Sequence, residues 1–240
     1  MLKPEVYPDH ETMSQAAVDH IVRQLKARPD ALLCLATGQS PMRTYALLAA
    51  RGQAEPRLVE RMRILKLDEW GGLALDDPAS SETWLRQALV TPLALESRYI
   101  GFDSRPADAE AECARVRRWL EQNGPIDICI LGLGLNGHLG FNEPAPALIP
   151  HAHVAKLSEA SLKHSMVAGQ RSQPTCGLTL GMADLLQARQ VLLLVSGSSK
   201  REPMRRLLNG NITTDFPATL LHLHDNTHLL CDEAATGGRG

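Results

Sequence analysis

Asp127-Ile-Cys-Ile-Leu-Gly-Leu-Gly-Leu-Asn-Gly-His-Leu-Gly-Phe-Asn-Glu143 begins as a continuous apolar run, breaks into glycines and ends on polar side chains. An unbroken apolar run of this length reads as a strand buried on both faces, the pattern of a parallel sheet covered by helices. In open α/β sheets, ligands bind outside the carboxyl ends of the strands. The segment therefore predicts a strand over Asp127 to Leu133 and delivers Asn136, His138 and Glu143 to one candidate site.

Working outward, Ala31 to Ala36, Arg63 to Leu67, Gln190 to Val195 and Thr227 to Cys231 are short apolar runs of the same kind. Weaker runs at His153–Leu157 and Leu178–Leu180 are candidates for further strands. Between them, Met13, Ala17, Ile21 and Leu25 recur at helical spacing within Glu11 to Arg28. Pro41 suits the first turn of a helix over Met42 to Arg51. Ser80 or Ser81 can cap a helix running to about Val90. Asp108 to Asn123 reads as a longer helix, stopped by Gly124-Pro125. Strands alternating with helices predict an α/β fold: a three-layer, modified Rossmann-like, mostly parallel sheet with helices on both faces. With no repeat, low-complexity tract or linker, residues 1–240 are expected to form a single domain. The small residues from Ala234 to Gly240 are expected to fray.

Composition narrows the function classes. Of 240 residues, 44% are hydrophobic and 22% charged, as in ordinary soluble globular proteins. The three Phe, three Trp and three Tyr leave the core to Leu, Val, Ile and Ala. A net charge of -2 argues against a nucleic-acid surface, which needs a basic stripe. It does not argue against a small anion, which one lysine and a few backbone amides can hold. The five cysteines are dispersed and form no C-x-x-C pair, so neither a disulfide nor a zinc framework is implied. No apolar run approaches membrane-spanning length. A reducing cytoplasm, no membrane, no cofactor and no metal are the expectations.

Several constellations carry chemistry. Thr37-Gly38-Gln39-Ser40 sits at a strand-to-helix turn, where amides and hydroxyls suit an anion or merely cap a helix. It lacks the Walker lysine and the complete dinucleotide fingerprint. Ser196-Gly-Ser-Ser-Lys200 repeats that logic after another strand, with Lys200 as a point charge. Two such turns at one sheet edge favour a phosphorylated ligand. Asp68 and Glu69 close the Arg63–Leu67 strand beside Leu65, Leu67 and Trp70. Partial burial lifts a carboxylate above its usual ~3.9 and makes it a better base. Gly132, Gly134, Gly137 and Gly140 are expected to clear room around His138, with Glu143 orienting it as a proton shuttle. His222-x-His224, His151 and His153 lack a third ligand at a recognisable spacing and read as structural.

Ala36-Thr-Gly-Gln-Ser-Pro41, Leu67-Asp-Glu-Trp70, Gly132 to Pro144, and Leu178-Thr-Leu-Gly181 with Leu194 to Lys200 together resemble the glucosamine-6-phosphate deaminase/isomerase family. The likeness runs from about Ala31 to Cys231, and its Gly-His-x-Gly-Phe-Asn-Glu-Pro stretch is long and specific. The wording of Lys66 to Trp70 and of Leu32 to Gly38 resembles the galactosamine-6-phosphate, tagatose-6-phosphate-forming branch. The resemblance implies ring opening of a 2-amino-2-deoxyhexose 6-phosphate, proton transfer between C2 and C1, and release of ammonia. It implies Asp68 as the C2 base, and His138 with Glu143 and Asn136 at the ring oxygen. Thr37, Gly38, Gln39, Ser40, Glu69, Gly137, Lys200 and His164 would bind substrate.

Two departures stand out. Asn136 replaces an acid typical of glucosamine-type enzymes, which shifts the proton relay onto Glu143. Ala145 to Lys156 contains no arginine, so the allosteric site of the family's hexamers is not expected here. The segment from about Ser158 to Pro174, with His164, Lys163 and Arg171 as phosphate candidates, is expected to act as a lid. A homo-oligomer is left open. The rival readings are glucosamine-6-phosphate deaminase, 6-phosphogluconolactonase and a non-catalytic sugar-phosphate sensor.

Overall fold

The computed structural model describes residues 2–74, 76–162 and 173–237. In chain order the elements are β1 (Pro4–Tyr7), α1 (His10–Ala27), β2 (Leu32–Leu35), α2 (Gln39–Ala54), α3 (Pro56–Val59), β3 (Arg63–Lys66), β4 (Asp68–Gly71) and α4 (Ser81–Leu85). There follow β5 (Tyr99–Ile100), α5 (Ala109–Asn123), β6 (Ile128–Gly132), β7 (His153–Ala155), α6 (Glu159–Leu162) and β8 (Cys176–Thr179). The chain closes with α7 (Met182–Leu186), β9 (Val191–Val195), α8 (Arg201–Leu208), β10 (Thr227–Asp232) and α9 (Glu233–Thr236).

Seven strands form one parallel sheet in the order β1-β10-β9-β6-β2-β3-β5. Successive strand residues point to opposite faces, and both faces are apolar. Leu33, Leu35, Ile64, Ile128, Ile130, Leu192 and Leu194 meet Met13, Ile21, Leu25, Tyr45 and Leu48 of α1 and α2. Their alternates Leu32, Cys34, Leu65, Cys129, Leu131, Val191 and Leu193 meet Val116 of α5, Leu185 of α7 and Leu207 of α8. Each fully buried leucine contributes roughly 1.5–3 kcal/mol. The α/β, mostly parallel fold with helices on both faces is the one predicted.

The second sheet corrects one expectation. The strand starting at Arg63 does end just before Asp68 and Glu69, at Lys66, but those two residues open a second strand rather than a loop. Leu67 continues the ladder through its amide to the Leu35 carbonyl at 3.0 Å, and the chain then turns into β4. There it pairs antiparallel with β8, which also pairs with β7. The weak runs near 153 and 178 are thus strands, but of this smaller three-stranded sheet. Ala234 to Thr236 also differ, since Asp232 accepts a 2.8 Å bond from the Ala235 amide and caps α9 where fraying is predicted, while residues 238–240 of that stretch lie outside the described residues.

The chain runs from β2 to β3 and β5 on one side, then returns to β6 on the other side of β2. The strand order reverses between β2 and β6. That switch point is where an open α/β sheet leaves a crevice.

Candidate active site

A cleft of about 700 Å³ opens at the switch point, a size suited to a small organic ligand. Its walls come from the carboxyl ends of β2, β3, β6 and β9: Ala36–Pro41, Asp68 and Trp70, Gly132–Leu135 with His138, and Ser196, Ser199 and Lys200. Four predicted segments, far apart in the chain, are brought together here.

After β2, Gly38 adopts φ +119 and opens α2, and no side chain of the described residues caps that terminus. First-turn amides and the helix dipole therefore face the cleft, which suits an anion. The Thr37 hydroxyl lies 3.0 Å from that of Ser81. Across the cleft, Gly197 has φ +93 and leads into the turn Ser198–Lys200. Asp232 anchors this loop by accepting from the Ser196 hydroxyl and from the Gly197 amide at 3.1 Å. Lys200 Nζ donates to the Leu133 carbonyl at 2.6 Å, which leaves two further N–H groups for a ligand. Burial lowers its pKa.

Asp68 is buried, with a relative exposure of 8%, yet it lines the cleft. Burial, and then the nearby Glu69 charge, push its pKa from the usual 3.8 up to about 7, with Lys66 pulling the other way. A carboxylate in this state is half ionised near neutral pH, the condition for a general base.

Glu69 is the neighbour that departs from expectation. Adjacent residues on a strand face opposite ways, and Glu69 turns wholly inward, with no exposure. It accepts from Lys66 Nζ at 2.6 Å and from the amides of Trp70, Ser81 and Glu82. Its carboxylate holds the first turn of α4 and takes no part in the cleft wall.

After β6 the chain makes a tight turn, with the Gly137 amide bonded to the Gly134 carbonyl at 3.0 Å. A Cβ on Gly134 would lie 2.6 Å from the His138 ring, so only glycine leaves room for the imidazole. Gly137 instead packs on Phe216 and lies off the cleft wall. Gly140 lies against Thr179 and Asp68, and Gly132 faces open space. Clearing the imidazole is therefore the work of Gly134 alone.

His138 Nδ1 stands 3.5 Å from Glu143 Oε2, a contact longer than a hydrogen bond. Glu143 also accepts from Asn136 Nδ2 at 2.8 Å, from Ser158 Oγ at 2.9 Å and from Ser161 Oγ. Burial alone would raise the Glu143 pKa, but His138, Ser161 and Asn136 outweigh it and hold it down to about 2. Asn136 Oδ1 accepts from the His138 amide at 3.2 Å, so this side chain ties the turn to the carboxylate. Glu143 and Asn136 thus stand behind His138.

Ser158 and Ser161 were not predicted. The only local signal is their i, i+3 spacing: Ser158 Oγ accepts from the Ser161 amide at 3.1 Å, a capping contact. Trp70 and Phe141 are further cleft residues without a predicted role, and Ser199 belongs to the Ser196–Lys200 turn read from the sequence. His164, like Lys163, Arg171 and most of the expected lid, lies outside the described residues. His222 and His224 bond to the Leu207 and Ala188 carbonyls, and His151 to Asp184, as structural histidines do.

Fold and site together define an enzyme of the open α/β type, with Asp68, His138 and two strand-to-helix turns around one crevice. The chain belongs to the family described as glucosamine-6-phosphate isomerases/6-phosphogluconolactonase, whose profile matches residues 8–230. It is 39% identical over 219 residues to the Escherichia coli (strain K12) protein named "Putative deaminase AgaI", covering 91% of this chain and 87% of that one. It is 37% identical over 233 residues to glucosamine-6-phosphate deaminase 1 of Bacillus subtilis (strain 168), covering 96% of each. A solved structure described as a monomeric glucosamine-6-phosphate deaminase superposes with a TM-score of 0.92 at 36% identity, covering 99% of this chain and 100% of that one.

Proposed function

We propose that the protein isomerises and deaminates a 2-amino-2-deoxyhexose 6-phosphate, converting galactosamine 6-phosphate to tagatose 6-phosphate and ammonia. The observation that carries this reading is Asp68, raised to about 7 and sharing one cleft with His138. The deaminase names of both relatives and of the solved structure support the reaction class.

In this account the α2 amino terminus, with Thr37, Gly38, Gln39 and Ser40, binds the phosphate together with Lys200. Remote binding of that kind orients the reacting carbons. His138, held by Glu143, moves a proton to the ring oxygen and away from the C1 hydroxyl, so the ring opens to the aldehyde. The aldehyde acidifies the C2 proton, and Asp68 takes it to give an enolamine. Proton return to C1 leaves a C2 imine. Water adds there, and the carbinolamine collapses to the ketone and ammonia. General-base assistance at such a step is worth on the order of 10²–10⁴-fold.

The wording of Lys66 to Trp70 supports the galacto epimer. The gluco epimer is the second reading, favoured by the likeness to the monomeric glucosamine-6-phosphate deaminase. No helix among the described residues is long and apolar enough to cross a membrane, and Cys34, Cys113, Cys129, Cys176 and Cys231 are free thiols. Both facts support a reducing cytoplasm as the place of action. The test is coupled ammonia release from both amino-sugar phosphates, with 6-phosphogluconolactone hydrolysis run alongside. Ammonia from either epimer sustains the reaction class, and faster release from the galacto substrate sustains the epimer. Lactone hydrolysis without ammonia overturns it. Binding without chemistry would make the protein a sensor.

A further inference from the structure

Glu5 on β1, His20 on α1 and His228 on β10 converge away from the cleft, each presenting one donor atom within 4.8 Å of the others. The imidazoles of His20 and His228 lie with centroids 4.5 Å apart. His228 Nδ1 is 3.0 Å from Glu5 Oε1. Among the described residues this is the one group of three or more His, Cys, Asp or Glu side chains with metal-ligand spacing.

We propose that Glu5, His20 and His228 form a binding site for a divalent transition-metal ion of the zinc class. Two imidazoles and one carboxylate are a donor set this class takes readily, whereas Mg²⁺ and Ca²⁺ favour oxygen ligands. Bonds of about 2.1 Å in a tetrahedron put ligand atoms about 3.4 Å apart. The His228–Glu5 separation is close to that edge, so a metal replaces the proton these groups now share. The remaining spacing closes by small side-chain rotations.

Tyr7 donates to the other Glu5 oxygen at 3.2 Å, and an outer partner of this kind fixes the orientation of a carboxylate ligand around a metal. The side chains of His228 and Glu5 are 31% and 42% exposed, so an ion can enter from solvent. The ion would join the edge strand β1, helix α1 and strand β10. His228 pairs with Leu192, well before the carboxyl ends that build the cleft. The site therefore acts on the fold rather than on the reaction. It escaped the sequence because its residues lie at opposite ends of the chain.

The purified chain, stripped with EDTA and dialysed, is titrated with Zn(II) and, as a spectroscopic probe, Co(II). One ion per chain and a raised unfolding temperature are expected, with no such rise for Mg(II). His20→Ala, His228→Ala and the isosteric Glu5→Gln should each weaken binding at least about tenfold. His138→Gln and Cys176→Ser should leave it intact. Wild-type affinity in all three cluster variants, or no binding at micromolar metal, overturns the site.

Discussion

The Lys66 ammonium lies 2.6 Å from a Glu69 carboxylate oxygen, and neither side chain reaches solvent. Lys66 also donates to Glu82 at 2.7 Å and to the Phe102 carbonyl at 2.8 Å. This closed network stands directly behind Asp68 and sets the charge that Asp68 feels.

Lys66→Met strands the Glu69 charge in the interior. Removing one partner of a buried pair costs about 3–5 kcal/mol. Because Lys66 holds the Asp68 pKa down, its loss should also move the acid limb of kcat/KM to higher pH. Thermal unfolding and a pH–rate profile read the two effects separately. An unchanged profile in folded Lys66→Met would remove the network from the control of Asp68.

Asp68 itself should set that acid limb. The base must be ionised, so kcat/KM should rise with pH to a midpoint near 7, following the raised pKa. Stability should run the other way. The unfolded pKa is ~3.9, so between that value and about 7 the folded state binds more protons than the unfolded one. Stability from this group is complete below the unfolded pKa and is lost as pH rises through the folded one. Asp68→Asn should therefore be more stable than wild type at pH 8, by at most about 4 kcal/mol, and unfold at a higher temperature. At pH 4 the two proteins should come close together. Equal melting temperatures at both pH values would contradict the raised pKa.

His138→Gln should slow ring opening and spare C2 chemistry. With the natural substrate its kcat should fall on the order of 10²-fold. With a 4,5-dideoxy analogue, which can close neither a pyranose nor a furanose ring, the variant should approach wild type. A defect of equal size on both substrates would move His138 to another step. Glu143→Gln should follow the same pattern, since it removes the carboxylate charge that stands 3.5 Å from the imidazole.

Lys200→Ala should raise KM with little change in kcat, about tenfold or more for the loss of a charge-assisted phosphate contact. Steady-state kinetics at two salt concentrations would check it, and an unchanged KM would remove Lys200 from the phosphate site.

The central strands were legible because each is buried on both faces and so is continuously apolar; β2, β6 and β9 are examples. Strand β1 was not, because Pro4 to Tyr7 is a short edge with no buried residue, Pro4 and Val6 being exposed and Glu5 and Tyr7 half-buried. Nor was β5, a two-residue strand. At the site, the glycine turn around His138 and the Thr37–Ser40 and Ser196–Lys200 turns could be located from local chemistry, and all three line the cleft. What sequence could not separate was Asp68 from Glu69, since both are acids at one strand end. Only the pairing of β4 with β8 decides which of them faces the cleft. The Ser158 and Ser161 contacts to Glu143 likewise depend on how a later segment folds back.

Proton transfer by Asp68 is the central claim, and reaction of galactosamine 6-phosphate in D₂O tests it most directly. Wild type should release ammonia and place solvent deuterium at C1 of the ketose product, while Asp68→Asn binds the substrate but does neither. Ammonia release by Asp68→Asn at a near-normal rate, or none from wild type with either amino-sugar phosphate, would contradict the account.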